Sequence, residues 1–170
     1  MTSDARPLLF VTVGTDHHPF DRLIDWIDDW MRTRQADVRC FVQSGTSRAP
    51  RHAEAAAYLT HEQMEAKVAE ARAVVSHGGP ASIMLCRHAG KTPIVAPRRG
   101  PLGEHVDDHQ LVFSRRLAAD DAIVVVETKD DLERAVADAL QREAAAGAAG
   151  FGSVPEAVSR FERLVEGLLA

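Results

Sequence analysis

A chain of 170 residues, 45% hydrophobic and 26% charged, has room for one packed domain but not for two full lobes. Its formal net charge of −5 excludes an extended nucleic-acid surface, which needs clustered Lys and Arg, and no apolar run approaches the roughly 20 residues that span a bilayer. Cys40 and Cys86 are too few for a disulfide framework or a zinc module, and the polar residues 1–7 have no signal-peptide character, so the expected location is the cytoplasm.

Residues 8–13 (LLFVTV) form an uninterrupted apolar run, as expected of a strand covered on both faces. Residues 19–34 follow with Phe20, Leu23, Ile24, Ile27 and Met31 at helical spacing. Residues 38–42 read as a second strand, ending in the polar loop Ser44-Gly45-Thr46-Ser47, and Tyr58-Leu59 reads as a very short third. Thr60-His61-Glu62-Gln63 has the form of a capping box opening a helix to about Ala71. Residues 73–76 are the next strand, and His77-Gly78-Gly79-Pro80 turns it into a helix over residues 80–88 that ends at Gly90. Residues 92–96 make a strand, 97–103 a Pro/Arg/Gly loop, 107–117 a helix and 123–126 a strand. Thr128-Lys129-Asp130-Asp131 caps one more helix. An Ala/Gly-rich break over residues 144–152 reads as a hinge before a last helix from Pro155. The expected organisation is therefore an α/β domain over residues 1–150 and a C-terminal amphipathic helix within 151–170. Alternation of strand and helix implies a doubly wound, mainly parallel, Rossmann-like sheet.

In such a sheet ligands sit beyond the carboxyl ends of the strands. That rule selects Gly14-Thr15-Asp16-His17, Ser44-Gly45-Thr46, Ser76-His77-Gly78-Gly79 and residues 97–103. Glycine lets backbone approach a ligand, and the helix that follows offers free N–H groups and a positive dipole end to a phosphate. The turn at Gly78 and Gly79 is the strongest such site, with Ser82 adding a hydroxyl; the alternative is a turn whose glycines serve its geometry alone. Neither G-x-G-x-x-G nor G-x-x-x-x-G-K-[ST] is present, which disfavours a nicotinamide dehydrogenase or an ATPase. Residues 103–110 (GEHVDDHQ) place three acids, two imidazoles and an amide at a loop-to-helix junction. That density of donors and acceptors suits sugar hydroxyls. One of Asp107 and Asp108 also suits a helix cap, and His105 with His109, four apart, is the competing metal-site pattern.

Val11-Thr12-Val13-Gly14-Thr15, Ser76-His77-Gly78-Gly79 and Asp108-His109-Gln110, in this order and spacing, resemble the C-terminal, donor-binding domain of family 28 glycosyltransferases. The resemblance covers residues 8–118 and is closest to short, stand-alone versions of that domain. These occur as the small catalytic subunit of the enzyme that adds the second GlcNAc to the dolichol-linked precursor, and in bacterial exopolysaccharide systems. It implies a single lobe of the GT-B architecture and inverting transfer from a UDP-sugar, with no bound metal and no cofactor. Carried over, the diphosphate contacts fall on Gly14, Thr15, Gly78, Gly79 and Ser82, with His77 of the same turn among the substrate-binding residues. The donor-sugar contacts fall on Asp108, His109 and Gln110, extended by Glu104 and His105. Where many members carry an acidic residue for the ribose, this sequence has Leu85; Pro80 and Ala81 also depart from the usual glycine turn.

Transfer needs a base for the acceptor hydroxyl, for which His17 is the candidate, with His18 or Asp16 as alternatives. Arg98 and Arg99 are candidates to hold the leaving diphosphate or a uronic-acid donor. A GT-B site lies between two lobes, so a membrane-associated, acceptor-binding partner subunit is expected to bring this chain to a lipid-linked or polysaccharide acceptor. Val158, Phe161, Leu164, Val165 and Leu168 form an apolar stripe for docking on it. The rival functions are a non-catalytic nucleotide-sugar-binding regulatory subunit and a nucleotide-sugar hydrolase or epimerase.

Overall fold

The computed structural model describes residues 4–146, 162–163 and 166–167. The proposed hinge beyond Ala146, the final apolar stripe and the boundary at residue 150 lie outside the described residues.

Over residues 4–146 six strands and five helices follow in the order β1 (Leu8–Thr12), α1 (Asp21–Met31), β2 (Arg39–Gln43), β3 (Glu54–Ala56), α2 (His61–Glu70), β4 (Ala73–Ser76), α3 (Pro80–His88), β5 (Ile94–Val95), α4 (His109–Ala118), β6 (Val124–Val125) and α5 (Lys129–Ala146). Every strand pair is parallel and the order is β3-β2-β1-β4-β5-β6. The expected doubly wound sheet is thus observed, and its strand order reverses direction between β1 and β4.

The uninterrupted apolar run of β1 follows from this topology. Leu9 and Val11 face a core built with Leu23, Ile24 and Ile27 of α1 and with Leu132 and Val136 of α5. Leu8 and Phe10 face the other side, against Val68 of α2 and Cys86 of α3. All of these are at most 3% exposed, and each such side chain contributes about 1.5–3 kcal/mol. A third cluster joins Ile83 of α3 to Leu117 of α4 and Ile123. Cys40 and Cys86 belong to different clusters and are free, and burial pushes the Cys86 thiol up to about 12. No helix among the described residues is long and apolar enough to cross a membrane.

Most elements are shorter or shifted by one to three residues relative to the sequence reading, and three differences have a structural content. The third strand is Glu54–Ala56, not Tyr58-Leu59. Glu54, Ala55 and Ala56 have little strand propensity, but Asp28, buried in α1, accepts from the amides of Arg51 (2.8 Å) and His52 (3.2 Å) and aims the chain at β2. Tertiary anchoring overrides propensity here. Residues 144–146 continue α5 rather than starting a break. The loop before α4 contains a 3₁₀ turn at Gly100–Leu102, and α4 begins at His109. The capping box at Thr60 forms as expected, with Gln63 N–H donating to Thr60 Oγ1 at 3.2 Å and Thr60 N–H to Gln63 Oε1 at 2.9 Å.

Candidate functional site

Reversal of strand order between β1 and β4 opens a crevice at their carboxyl ends, where the loops after the two strands part. The floor of this crevice is polar. Gln43, at the end of β2, is 2% exposed, and its Oε1 accepts from Thr12 Oγ1 (2.6 Å) and Gly14 N–H (3.2 Å). Its Nε2 donates to the carbonyls of Gly14 (3.0 Å) and Ala57 (2.7 Å). One side chain therefore fixes the turn in which Gly14 takes a left-handed φ of +81°.

His77 forms the opposite wall. A Cβ on Gly14 would lie 2.5 Å from its ring, and one on Gly79 would lie 2.3 Å from its Nε2. Both glycines are therefore required by close approach of the imidazole. Its Nδ1 is buried and has no hydrogen-bond partner among the described residues. Burial, reinforced by the charge of Arg98, depresses the His77 pKa to about 4, so the ring is neutral at physiological pH. A neutral imidazole beside the helix start can hydrogen-bond a phosphate without the cost of burying a charge.

The start of α3 completes the wall. Gly79 is its N-cap and Pro80 its first residue, so the N–H groups of the first turn point at the crevice, half-buried Ser82 among them. The resulting cleft, of about 270 Å³, is lined by Thr12, Gly14, Thr15, Gln43, His77, Gly79, Pro80, Ala81 and Ser82. Leu59 and Met64 give it an apolar side. Leu85 packs into the same apolar cluster as these two, which explains why a carboxylate is not found there. A second depression, of about 390 Å³, shares Pro80 and is lined by Gly78, His109, Gln110, Val112, Phe113 and Arg116. Gly78 packs against α4, where a Cβ would meet Gln110 and Ser114 at 2.9 Å.

The expected site residues divide accordingly. Gly14, Thr15, His77, Gly79 and Ser82 meet around one cleft, and Gly78, His109 and Gln110 around its neighbour. Gln110 Oε1 accepts from Arg98 N–H (3.3 Å), and its Nε2 has no hydrogen-bond partner among the described residues. His109 is exposed and paired through Nδ1 with Asp107 at 2.5 Å. Hydrogen bonds from the His109 backbone and ring hold the Asp107 carboxyl below its ordinary value.

Glu104 lines neither depression. It is 4% exposed, and its oxygens accept a fork from Arg22 (2.7 and 2.8 Å) and the N–H of Arg99 (2.9 Å). Those bonds pin the loop after β5 to α1. Arg98 is also withdrawn from any ligand. Fully buried, its guanidinium donates at 2.7 Å to the carbonyls of Val13, His18 and Glu104 and lies 4.9 Å from the Phe20 ring centroid. It braces the loops from beneath, so the expected carboxylate or diphosphate clamp by Arg98 is replaced by a structural one. Arg99 lies 3.6 Å from Asp108 and 3.9 Å from Glu127. Asp108 accepts from Gly100 N–H (3.0 Å), and Asp107 accepts from His109 N–H (2.9 Å), so both acids shape the turn into α4.

Among the described residues His105 and His109 do not gather with a third metal-ligating group; each engages Asp107 by a different oxygen, at 3.3 and 2.5 Å. His105 instead reaches back to Asp16 (3.6 Å), joining the loops after β5 and β1. Burial raises the Asp16 pKa, but hydrogen bonds from His18 and the charge of Arg98 outweigh it and leave it low. His17 stands at the rim, 82% exposed, its ring tilted by 39° against that of His18 at a centroid distance of 4.0 Å.

The sequence matches the family described as glycosyltransferase family 28 C-terminal domain over residues 8–159. No curated protein matches it in sequence. Among solved structures it is similar to the glycotransferase of kitacinnamycin, at 17% identity and a TM-score of 0.63, over 99% of this chain and 41% of that one. The calicheamicin glycosyltransferase CalG4 gives 17% identity and 0.59, over 96% of this chain and 40% of that one. The spinosyn forosaminyltransferase SpnP gives 16% and 0.59, over 99% of this chain and 45% of that one. At such identities the likeness is one of fold, and the chain spans less than half the length of each of these proteins.

Proposed function

The chain belongs to the glycosyltransferase family 28 C-terminal domain family, and from that membership we propose that it is the donor-binding, catalytic component of a two-part inverting glycosyltransferase that uses a UDP-sugar. The observation that carries this reading is the cleft at the reversal of strand order, where Gly14, neutral His77 and the start of α3 converge. Backbone N–H groups and the helix dipole receive the diphosphate there, aided by Thr15, Ser82 and the His77 ring. Leu59 and Met64 take the nucleoside, and the ribose is held without a carboxylate partner at Leu85. The sugar extends over Pro80 into the neighbouring depression, where Gln110 and His109 meet its hydroxyls.

Charge grows on the departing diphosphate in the transition state, so fixed N–H donors at that position lower the barrier. Neither a cofactor nor a cation at the diphosphate is required for this. His17, exposed at the rim, accepts the proton of the acceptor hydroxyl. The facing lobe belongs to a membrane-associated partner subunit, which presents a lipid-linked or polysaccharide acceptor and keeps this chain at the cytoplasmic surface.

Calorimetric titration with UDP, UDP-glucose, UDP-glucuronate and UDP-N-acetylglucosamine, each with and without magnesium, tests the reading. The expected result is magnesium-independent binding that Gln110→Ala weakens for the UDP-sugars but not for UDP. Release of free sugar by the chain alone, with no acceptor present, would count instead for a hydrolase.

A further inference from the structure

We propose that Asp16, His17 and His18, at the rim of the loop after β1, form a binding site for one zinc ion. The proposal goes beyond the donor-binding reading and does not depend on it. Among the described residues these three offer one carboxylate oxygen and two imidazole nitrogens, all within 4.8 Å of one another. Asp16 Oδ1 lies 2.6 Å from His18 Nδ1 and 3.7 Å from His17 Nδ1. Tetrahedral zinc, with bonds of about 2.0–2.1 Å, holds its ligand atoms about 3.3 Å apart, midway between these two separations. Small rotations of the two rings therefore suffice.

Two imidazoles and a carboxylate select a borderline transition ion over magnesium or calcium, which take oxygen ligands. The surroundings also fit. His105 Nε2 lies 3.6 Å from the other oxygen of Asp16 and is itself steadied by Asp107 at 3.3 Å, the arrangement by which outer groups orient a ligating carboxylate. Beneath, Arg98 holds the His18 carbonyl at 2.7 Å, so the loop presenting the ligands is rigid. The exposed side of His17 leaves a fourth position open to water. The guanidinium of Arg98, an unfavourable neighbour, is turned to three carbonyls. On the transfer reading, zinc held by His17 would compete with its use as a base, making the ion an inhibitor of transfer.

The test uses the tag-free chain, freed of metal by chelator and titrated with zinc against a chromophoric competitor, with metal content measured after gel filtration. One zinc per chain is expected, with affinity reduced at least about tenfold by Asp16→Asn, His18→Ala or His17→Gln, and about tenfold by His105→Gln. His61→Ala, a remote exposed histidine, should leave it unchanged. His17→Gln alters an 82% exposed side chain and so separates loss of binding from loss of fold. Cobalt in place of zinc should give the strong visible absorption of a tetrahedral site. Substoichiometric zinc, affinity indifferent to His17→Gln and Asp16→Asn, or a weak octahedral cobalt spectrum would each overturn the proposal.

Discussion

If Gly14 and Gly79 are glycines because His77 lies between them, removing the imidazole should make one of them dispensable. Gly79 has an ordinary φ of −77°, so alanine there is opposed by contact alone, its Cβ falling 2.3 Å from Nε2. The ring cannot retreat freely, because Gly14 closes its other side at a distance that would leave a Cβ 2.5 Å away. Overpacking of this kind costs about 1–3 kcal/mol, so Gly79→Ala should lower stability by about 2 kcal/mol. In a His77→Ala background the clash disappears, leaving only the smaller cost of alanine for glycine at a helix N-cap. The coupling between the two substitutions should therefore be at least about 1 kcal/mol. Gly14→Ala should be only partly rescued, because its φ of +81° costs alanine about 1–2 kcal/mol whatever the space. Urea unfolding of the single and double variants reads these values from midpoints, which move by about 1 M for each 1–3 kcal/mol. Equal costs of Gly79→Ala in both backgrounds, within about 0.5 kcal/mol, would refute the argument.

Three more outcomes follow from the same site. The depressed pKa of His77, about 4 against 6.5, means the unfolded chain binds the extra proton first. Stability from this group is complete above pH 6.5 and falls by about 3 kcal/mol as pH drops to 4; His77→Ala should flatten that part of the urea-midpoint profile. Gln43→Leu, which strips the Gly14 turn of one acceptor and one donor, should weaken UDP binding by about tenfold in calorimetry while circular dichroism stays unchanged. Arg22→Ala leaves the Glu104 carboxylate buried without its fork and should cost about 3 kcal/mol in urea unfolding, with Glu104→Gln in that background recovering part of it.

The sequence was informative wherever one local pattern decided the outcome. The apolar run at residues 8–13, the capping box at Thr60 and the Gly-Gly-Pro turn before α3 each carry their own geometry, and together they located the cleft. Legibility ended where partners lie far apart in sequence. Gln43 ends a strand like any polar residue, and only its contacts with Gly14, 29 positions away, show that it holds the loop. Arg98 was a candidate anion ligand because it stands in a loop at a strand exit. Its carbonyl partners at Val13 and His18, 85 and 80 positions earlier, make it a brace. The burial of Glu104 escaped the sequence for the same reason, its fork partner Arg22 being 82 positions distant. The edge strand at Glu54–Ala56 was missed because its signal lies in Asp28 on α1 rather than in its own side chains.

The measurement that bears most directly on donor binding is the amide ¹H–¹⁵N spectrum of the chain titrated with UDP. The account predicts that Gly14, Thr15, Gly79, Ala81 and Ser82 shift first and furthest, with Gln110 and His109 added when UDP-sugar replaces UDP. Shifts centred instead on the basic groove at the opposite end of the sheet, around Arg39, Arg51 and Lys67, would contradict it.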